Sequence, residues 1–317
     1  MKKILLLFIF HFSFFTFNCT AQQWFTLNNG FDGAGQYDRI NTLCTDTIHN
    51  ILWAGGRFTS TFLGETVNNI SYWDGGTWHP FYRHSGSAIV IGYGVSNSTE
   101  IATMIQFDSM IAIGVNSLIG NSSGVWFQNM EDSTAIALGD FNDDVKALCI
   151  YHDTLYAGGR FTQFDNPNFP YNTNATYGIA KWTGSEFVQV GGGIGGYVNA
   201  MCVYNDKLIA AGAFENAGGL TCMNIAQWDG TSWAPIGFGI GQQSAFDVNL
   251  FSVCAYNGKL YAGGLMDNGN DLKVWNGNNW SSVPNTFIDV SAMSVFKNKL
   301  YVGGGDTYLN WPWSFVA

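Results

Sequence analysis

The stretch at residues 198–233 reads VNAMCVYNDKLIAAGAFENAGGLTCMNIAQWDGTSW and contains one complete repeat of this chain. Two short apolar runs, residues 200–204 and 207–211, are separated by an Asn-Asp turn and followed by a Gly-rich loop. A third run ends at Trp228, and an Asp-Gly turn leads to a fourth run that starts at Trp233. Short apolar runs bounded by such turns are typical of strands in antiparallel hairpins. The stretch therefore predicts four strands in one antiparallel sheet.

The second strand of this unit recurs along the chain. Its copies are residues 52–56, 110–114, 155–159, 208–212, 260–264 and 300–304. They lie roughly 40 to 58 residues apart, a repeat length typical of a four-stranded propeller blade. No window repeats its apolar residues with the period of an amphipathic helix, which excludes a helical solenoid. The pattern predicts an all-β fold, a β-propeller with six four-stranded blades.

Two parts of the chain depart from the repeat. In the second repeat, about residues 100–138, the hairpin is reduced to Val125-Trp126-Phe127, so we expect a degenerate blade. The sixth repeat leaves room for only a third strand, whereas residues 24–30 resemble a fourth strand. We therefore expect the N-terminal strand to complete the sixth blade and close the ring, which removes open sheet edges. A chain truncated in its last blade is the alternative.

Residues 1–21 have the layout of a secretory signal peptide. A charged start, Met1 to Lys3, precedes an apolar run to Phe17, and cleavage is expected after Ala21. The apolar run is too short for a membrane span, and no later stretch approaches one. Lipid modification of Cys19 is the alternative. We expect residues 22–317 to form a single propeller domain, a monomer that is secreted or displayed at the cell surface without membrane insertion.

The charge balance limits the classes of partner. The chain has 13 basic and 23 acidic residues, a formal net charge of −10. Because no Lys/Arg cluster could neutralise phosphates, nucleic acid and anionic membranes are disfavoured as partners. The composition, 16% aromatic residues with 39 glycines, is typical of many short buried strands joined by tight turns.

Repeated cysteines and aromatic pairs are expected to belong to the core. Four cysteines occupy one position of the first strand in successive repeats: Cys44, Cys149, Cys202 and Cys254. Cysteine at a repeated strand position is most simply a small buried side chain, and these four are expected to lie too far apart for disulfides. Cys222, in a loop, is the better candidate for a free thiol. The hairpin pairs Trp73/Trp78, Trp182/Phe187, Trp228/Trp233 and Trp275/Trp280 could bind sugars, but their repetition favours packing.

Several motifs resemble a known group of repeats. They are LYAGGRF at residues 155–161, NAGG at 216–219 and NIAQWDG at 224–230. These motifs are similar to kelch-like propeller repeats, and look closest to the Rax2-like repeats of exported proteins. The resemblance covers nearly the whole mature chain and is strong in the first, third and fourth repeats. It implies a propeller with an interaction role, and it carries no catalytic residues to this chain.

Strand order determines which connections share a face. The loops between second and third strands and the links between blades form one face, here named the loop face; the remaining turns form the turn face. The longest loops, residues 57–69 and 160–178, lie on the loop face, where aromatic rings and amides suit a glycan or an extracellular protein. The candidate ligand-binding residues are Arg57, Arg160, Phe164, Asn166, Phe169, Tyr171 and Tyr177. Alternatively, these rings only pin a long loop to the body.

The link GDFNDD at residues 139–144 resembles the start of a calcium loop. Asp140, Asn142 and Asp144 would supply oxygen ligands at alternating positions. The link lacks the glycine and the downstream aspartate of such loops, and it aligns with the blade link at residues 191–196. Calcium is thus a candidate cofactor, and a solvated acidic turn is the alternative; no other cofactor is expected.

Catalytic motifs are absent from the sequence. It contains no nucleophile elbow, HExxH or Walker loop, and its histidines lack the spacing of metal ligands. We therefore expect a non-enzymatic binding or adhesion module. A carbohydrate-active enzyme needs only two carboxylates, and its candidates on the loop face are Asp140, Asp144, Asp165 and Asp247. That enzyme, or a structural module of a larger surface protein, is the alternative.

Overall fold

The computed structural model describes residues 39–58, 67, 69–81, 99–117, 123–129, 134–164, 178–241, 248–266, 272–284, 289–305 and 314–316. Every regular element in these ranges is a β-strand, and all strand pairs are antiparallel. Within these ranges no helix is long and apolar enough to cross a membrane. The all-β prediction is confirmed.

Consecutive strands form each sheet. The first comprises β1 (Arg39–Asp46), β2 (Ile51–Arg57), β3 (Ile70–Trp73) and β4 (Trp78–Pro80). The second comprises β5 (Thr99–Phe107), β6 (Met110–Ser117), β7 (Ser123–Asn129) and β8 (Ala135–Phe141). The third comprises β9 (Val145–Tyr151), β10 (Thr154–Gly159), β11 (Ile179–Trp182) and β12 (Phe187–Gln189).

The remaining sheets follow the same order. The fourth comprises β13 (Ile194–Tyr204), β14 (Lys207–Ala217), β15 (Leu220–Thr221), β16 (Ile225–Trp228) and β17 (Trp233–Pro235). The fifth comprises β18 (Asn249–Tyr256), β19 (Lys259–Leu265), β20 (Leu272–Trp275) and β21 (Trp280–Ser282). The sixth comprises β22 (Asp289–Phe296), β23 (Lys299–Gly305) and β24 (Ser314–Val316).

These sheets are the blades of a propeller. Five are complete, and the sixth has three strands within the described ranges, so the count of six complete blades is too high by one. The fourth strand expected from residues 24–30 lies outside those ranges, and ring closure stays a prediction. Blade 2 forms a complete sheet, because β7 and β8 pair over six positions without an Asp-Gly turn.

The first strands of the blades lie innermost. Each packs on the first strand of the next blade, from β1 on β5 to β18 on β22. Every first strand also carries one extra residue, a β-bulge, which lies near the start of five strands and at the middle of β13. The bulged residues are Asn41, Ala102, Lys146, Asn199, Phe251 and Ser291. A bulge changes the direction of its side chain and bends the strand. The same local feature therefore sets the direction of six side chains, one in each blade.

The Gly-Gly pair of the repeat is required by this packing. At the second glycine, a Cβ on Gly159 would collide with the carbonyl oxygen of Asp144 beside the bulge. At the first glycine, a Cβ on Gly158 would lie 2.6 Å from Cγ1 of Val198, which is fully buried. In blade 3 glycine is thus needed at both positions for different reasons, and Ile101 and Val290 lie over Gly55 and Gly263 in the same way. Blade 4 has Ala211 at the first position, and blade 2 has Val115 at the second.

The aromatic pairs and cysteines are core residues, as expected. The rings of Trp228 and Trp233 lie 5.3 Å apart and are buried, and the Trp73/Trp78 pair is buried in the same way. All five described cysteines are free. Burial raises the pKa of the Cys149 thiol to about 12, which suppresses thiolate chemistry. Cys222, expected as a free thiol, is free and buried.

Candidate functional site

The loop face is fastened by asparagines in the left-handed conformation. Asn224 has a φ of 68° and is fully buried. Its Oδ1 accepts the backbone N–H of Phe214 at 3.0 Å, and its Nδ2 donates to the carbonyl oxygen of Ile240 at 2.8 Å. In blade 1, Asn69 makes the same two kinds of hydrogen bond. These bonds join each loop to the following part of the chain, so the loop ends are rigidly placed.

Arg160 is exposed, unlike Arg57 and Phe164, the other predicted binding residues within the described ranges. Its backbone N–H donates to the carbonyl oxygen of Asp144 at 2.8 Å, which fixes its place at the end of β10. Its guanidinium carbon lies 5.0 Å above the ring centre of Tyr197, in the next blade, and Tyr197 is 44% exposed. Within the described ranges the guanidinium makes no hydrogen bond or ion pair. Its N–H donors are therefore available to a ligand.

Arg57 has a different environment. It ends β2, is half-buried and pairs in the sheet with Arg39. Arg39 forms an ion pair with the buried Glu100 of the next blade. Arg57 thus belongs to a charged cluster between blades 1 and 2. The structure does not bring it together with Arg160, which lies between blades 3 and 4.

Phe164 is part of the core. It is 8% exposed, and its ring lies 5.9 Å from that of Phe141 and 6.4 Å from that of Phe187. This ring is not available to stack on a ligand, and it anchors the start of the long loop instead. The other predicted residues of the loop, Asn166, Phe169, Tyr171 and Tyr177, lie outside the described ranges, so binding by them stays a prediction.

The acidic link fastens the same loop. Asn142 Oδ1 accepts the backbone N–H of Thr162 at 2.9 Å and of Gln163 at 3.0 Å. A carboxylate oxygen of Asp144 lies 2.9 Å from Nζ of Lys146. All three predicted calcium ligands thus have an interaction within the chain, although Asp140 is exposed. The described ranges contain no group of three or more His, Cys, Asp or Glu side chains that could hold a metal ion. Calcium binding stays a prediction.

Among the described strands, those of blade 4 extend farthest toward the loop face. Its strands β13 and β14 have 11 residues each, whereas β9 and β10 have 7 and 6. The added residues pair with each other, and β15 pairs with the tip of β14. The extension presents an exposed carboxylate, amide, apolar group and hydroxyl, from Glu215, Asn216, Leu220 and Thr221.

A second exposed ring lies in the link that follows β17 of the same blade. Phe238 is 86% exposed and sits between Gly237 and Gly239, which both have positive φ. The link is held in place because the N–H of Ile240 donates to the carbonyl oxygen of Met223 at 2.9 Å. We name the following set the blade-4 loop surface: Arg160, Tyr197, Glu215, Asn216, Leu220, Thr221 and Phe238.

Of the residues of the blade-4 loop surface, only Arg160 was predicted from the sequence to bind a ligand. A signal existed for Phe238, since an aromatic residue between two glycines in a blade link has few neighbours to cover it. The position of Tyr197 could also be predicted, because it directly precedes Val198, where the predicted first strand of the repeat begins. Its exposure was not, since exposure depends on the neighbouring blade.

Comparison with known proteins identifies the fold alone. No family model matches this chain, and no curated protein matches it. The solved WD40 β-propeller domain of Doa1 superposes with a TM-score of 0.52 at 14% identity, over 84% of this chain and 76% of that chain. The likeness supports the propeller assignment, whereas kelch-like membership stays a resemblance.

Two other solved structures are less similar. The computationally designed Ika8 protein has a TM-score of 0.47 at 14% identity, over 87% of this chain and 83% of that one. An extracellular domain of a one-component system from B. thetaiotaomicron has a TM-score of 0.43 at 13% identity. The match covers 90% of this chain and 40% of that chain.

Proposed function

We propose that this propeller is an exported, non-enzymatic binding module that holds an extracellular protein or glycan on its loop face. The observation that carries the proposal is the contact between Arg160 and Tyr197. It places an exposed guanidinium and an exposed ring side by side across a blade boundary. Such a pair offers directed N–H donors beside an apolar surface, the combination that fixes the orientation of a ligand.

The scaffold beneath this pair is rigid. The bulge at Asn199 in β13 and the glycines at the end of β10 fix the backbone beside Tyr197 and Arg160. Asn224 fastens the neighbouring loop by two hydrogen bonds from a buried side chain. A site built on such strand ends loses little conformational entropy on binding, which favours affinity.

Three features of the sequence support the exported location and the binding role. The layout of residues 1–21 supports secretion or display at the cell surface. The kelch-like resemblance supports an interaction role. The net charge of −10 supports a partner other than nucleic acid.

A panel of soluble polysaccharides and proteins of the extracellular medium tests the proposal. We expect retention of at least one of them without turnover, and loss of retention in Arg160→Ala. Ile48→Ala is the matched control, because Ile48 is an exposed residue of the turn face. Release of new reducing ends over time, abolished by Asp140→Asn, would contradict the proposal in favour of the enzyme. Retention of nothing would favour a structural module.

A further inference from the structure

We infer that the ligand is a neutral polysaccharide chain that lies across the blade-4 loop surface, in contact with both Tyr197 and Phe238. This inference rests on the proposed function and names its ligand class. The two rings belong to the start and the end of the same blade, and both connections that bear them emerge on the loop face.

The exposure of the two rings is the first support. Phe238 is 86% exposed and Tyr197 44% exposed, although burial of an aromatic side chain is favourable. The backbone that bears each ring is held in place by hydrogen bonds, so a loose backbone does not explain the exposure of either ring. Tyr197 pairs with Ala213 in the sheet, and Phe238 is followed by a link hydrogen-bonded to Met223. Sugar rings present apolar C–H faces that stack on such fixed aromatic surfaces.

The extension of blade 4 contacts the two segments of chain that bear the rings. On one side the Asn216 side chain packs on Gly195, where a Cβ would lie 2.5 Å from Asn216 Oδ1. On the other side Met223 packs on Gly239, where a Cβ would lie 2.5 Å from the Met223 carbonyl oxygen. The extension therefore contacts the chain beside Tyr197 and the chain beside Phe238. A ligand that reaches both rings must cross it, which requires an extended chain.

The polar groups along this path favour hydroxyl groups as their partners. Glu215 only accepts hydrogen bonds, Arg160 only donates, and Asn216 and Thr221 do both. A sugar hydroxyl also donates and accepts, so it can satisfy each of these groups. A protein interface instead concentrates its apolar anchors at a dry centre, whereas here the exposed Leu220 is accompanied by the polar Glu215, Asn216 and Thr221.

Charge favours a neutral chain over a polyanion. The protein carries a formal net charge of −10, which repels a polyanion over its whole surface. Lys146, on the neighbouring strand β9, is already paired with Asp144 at 2.9 Å. Arg160 and Glu215 have opposite charges, so the surface itself has no strong excess of either sign.

Affinity gel electrophoresis tests the inference with xylan, glucomannan and mixed-linkage glucan as neutral probes, and pectate and alginate as acidic probes. We expect at least one neutral probe to retard the protein equally at low and high salt. Tyr197→Ala and Phe238→Ala should each weaken binding about fivefold, the loss of one stacking contact. Ile48→Ala should bind as the wild type does. Melting temperatures first establish that each variant is folded.

Three results would overturn the inference. They are no retardation by any neutral probe, retardation only by acidic probes, and equal retardation of the wild type and the Tyr197→Ala/Phe238→Ala double variant. In each case the proposed function stands if Arg160→Ala still abolishes retention of an extracellular protein or acidic polysaccharide. Both the inferred ligand class and the proposed function fail if retention is lost in Ile48→Ala and kept in Arg160→Ala.

Discussion

Asn224 accepts the backbone N–H of Phe214 through its side-chain oxygen at 3.0 Å, and so closes the loop that links β14 to β16. Its Nδ2 also donates to the carbonyl oxygen of Ile240 in the next blade link. One buried side chain therefore joins the extension of blade 4 to the link that bears Phe238. The geometry of the blade-4 loop surface depends on this residue.

Asn224→Gly should lower the free energy of unfolding by about 2 kcal/mol, because two hydrogen bonds are lost from a buried position. Glycine keeps the φ of 68° without strain. Asn224→Ala should cost about 1 kcal/mol more, since alanine disfavours this conformation. Urea denaturation measures both. A glycine variant as stable as the wild type would contradict the fastening role.

Gly158→Ala should destabilise the protein by about 1 to 3 kcal/mol, because the new methyl group overlaps the buried Val198 side chain. Val198→Ala removes the overlap but leaves a cavity. The double variant should therefore cost less than the two single changes combined. Gly76→Ala is the control, because its Cβ would have ordinary spacing, 3.5 Å from Asp74 Oδ1. Additive costs at Gly158 and Val198 would argue against this packing.

The repeat was predictable because blade packing imposes side chains of fixed size. Gly158 and Trp228 belong to positions that most blades fill with the same kind of residue, so their recurrence revealed the propeller; Ala211 and Asn129 are exceptions. The bulge at Asn199 was not predictable, because one extra residue leaves the apolar pattern of its strand intact. The prediction that Phe164 binds a ligand was wrong. The sequence of a loop does not distinguish a ring that faces solvent from one that packs on a neighbour such as Phe141.

The stability contributed by Asp74 should be lost at low pH. Backbone N–H groups of Thr77 and Gly76, with the ring of His79, lower the pKa of Asp74 to about 2 from 3.8. The ionised form is the one stabilised by folding, so its contribution is present above about pH 4 and disappears as pH falls toward 2. The stability difference between wild type and Asp74→Asn should vanish over this range.

Urea denaturation between about pH 6 and 2 measures the Asp74 effect. His79→Gln should preserve most of it, because the largest causes are the backbone hydrogen bonds. A difference between wild type and Asp74→Asn that persists unchanged at pH 2 would disagree with this assignment.

Deletion of residues 22–29 should lower the melting temperature relative to a protein that starts at Gln22. The reason is that blade 6 has three strands within the described ranges, and a fourth strand from the N-terminus would cover its edge. Differential scanning calorimetry measures the change. An unchanged melting temperature would refute closure by this segment.

Amide hydrogen exchange, with and without the polysaccharide that retards the protein most strongly, tests most directly whether the loop face binds. Exchange slows where a ligand covers or stabilises the backbone. We predict slower exchange at residues 191–197, 215–223 and 237–239, and no change in the turns at residues 47–50 and 205–206. Slowing confined to those turns would contradict the account.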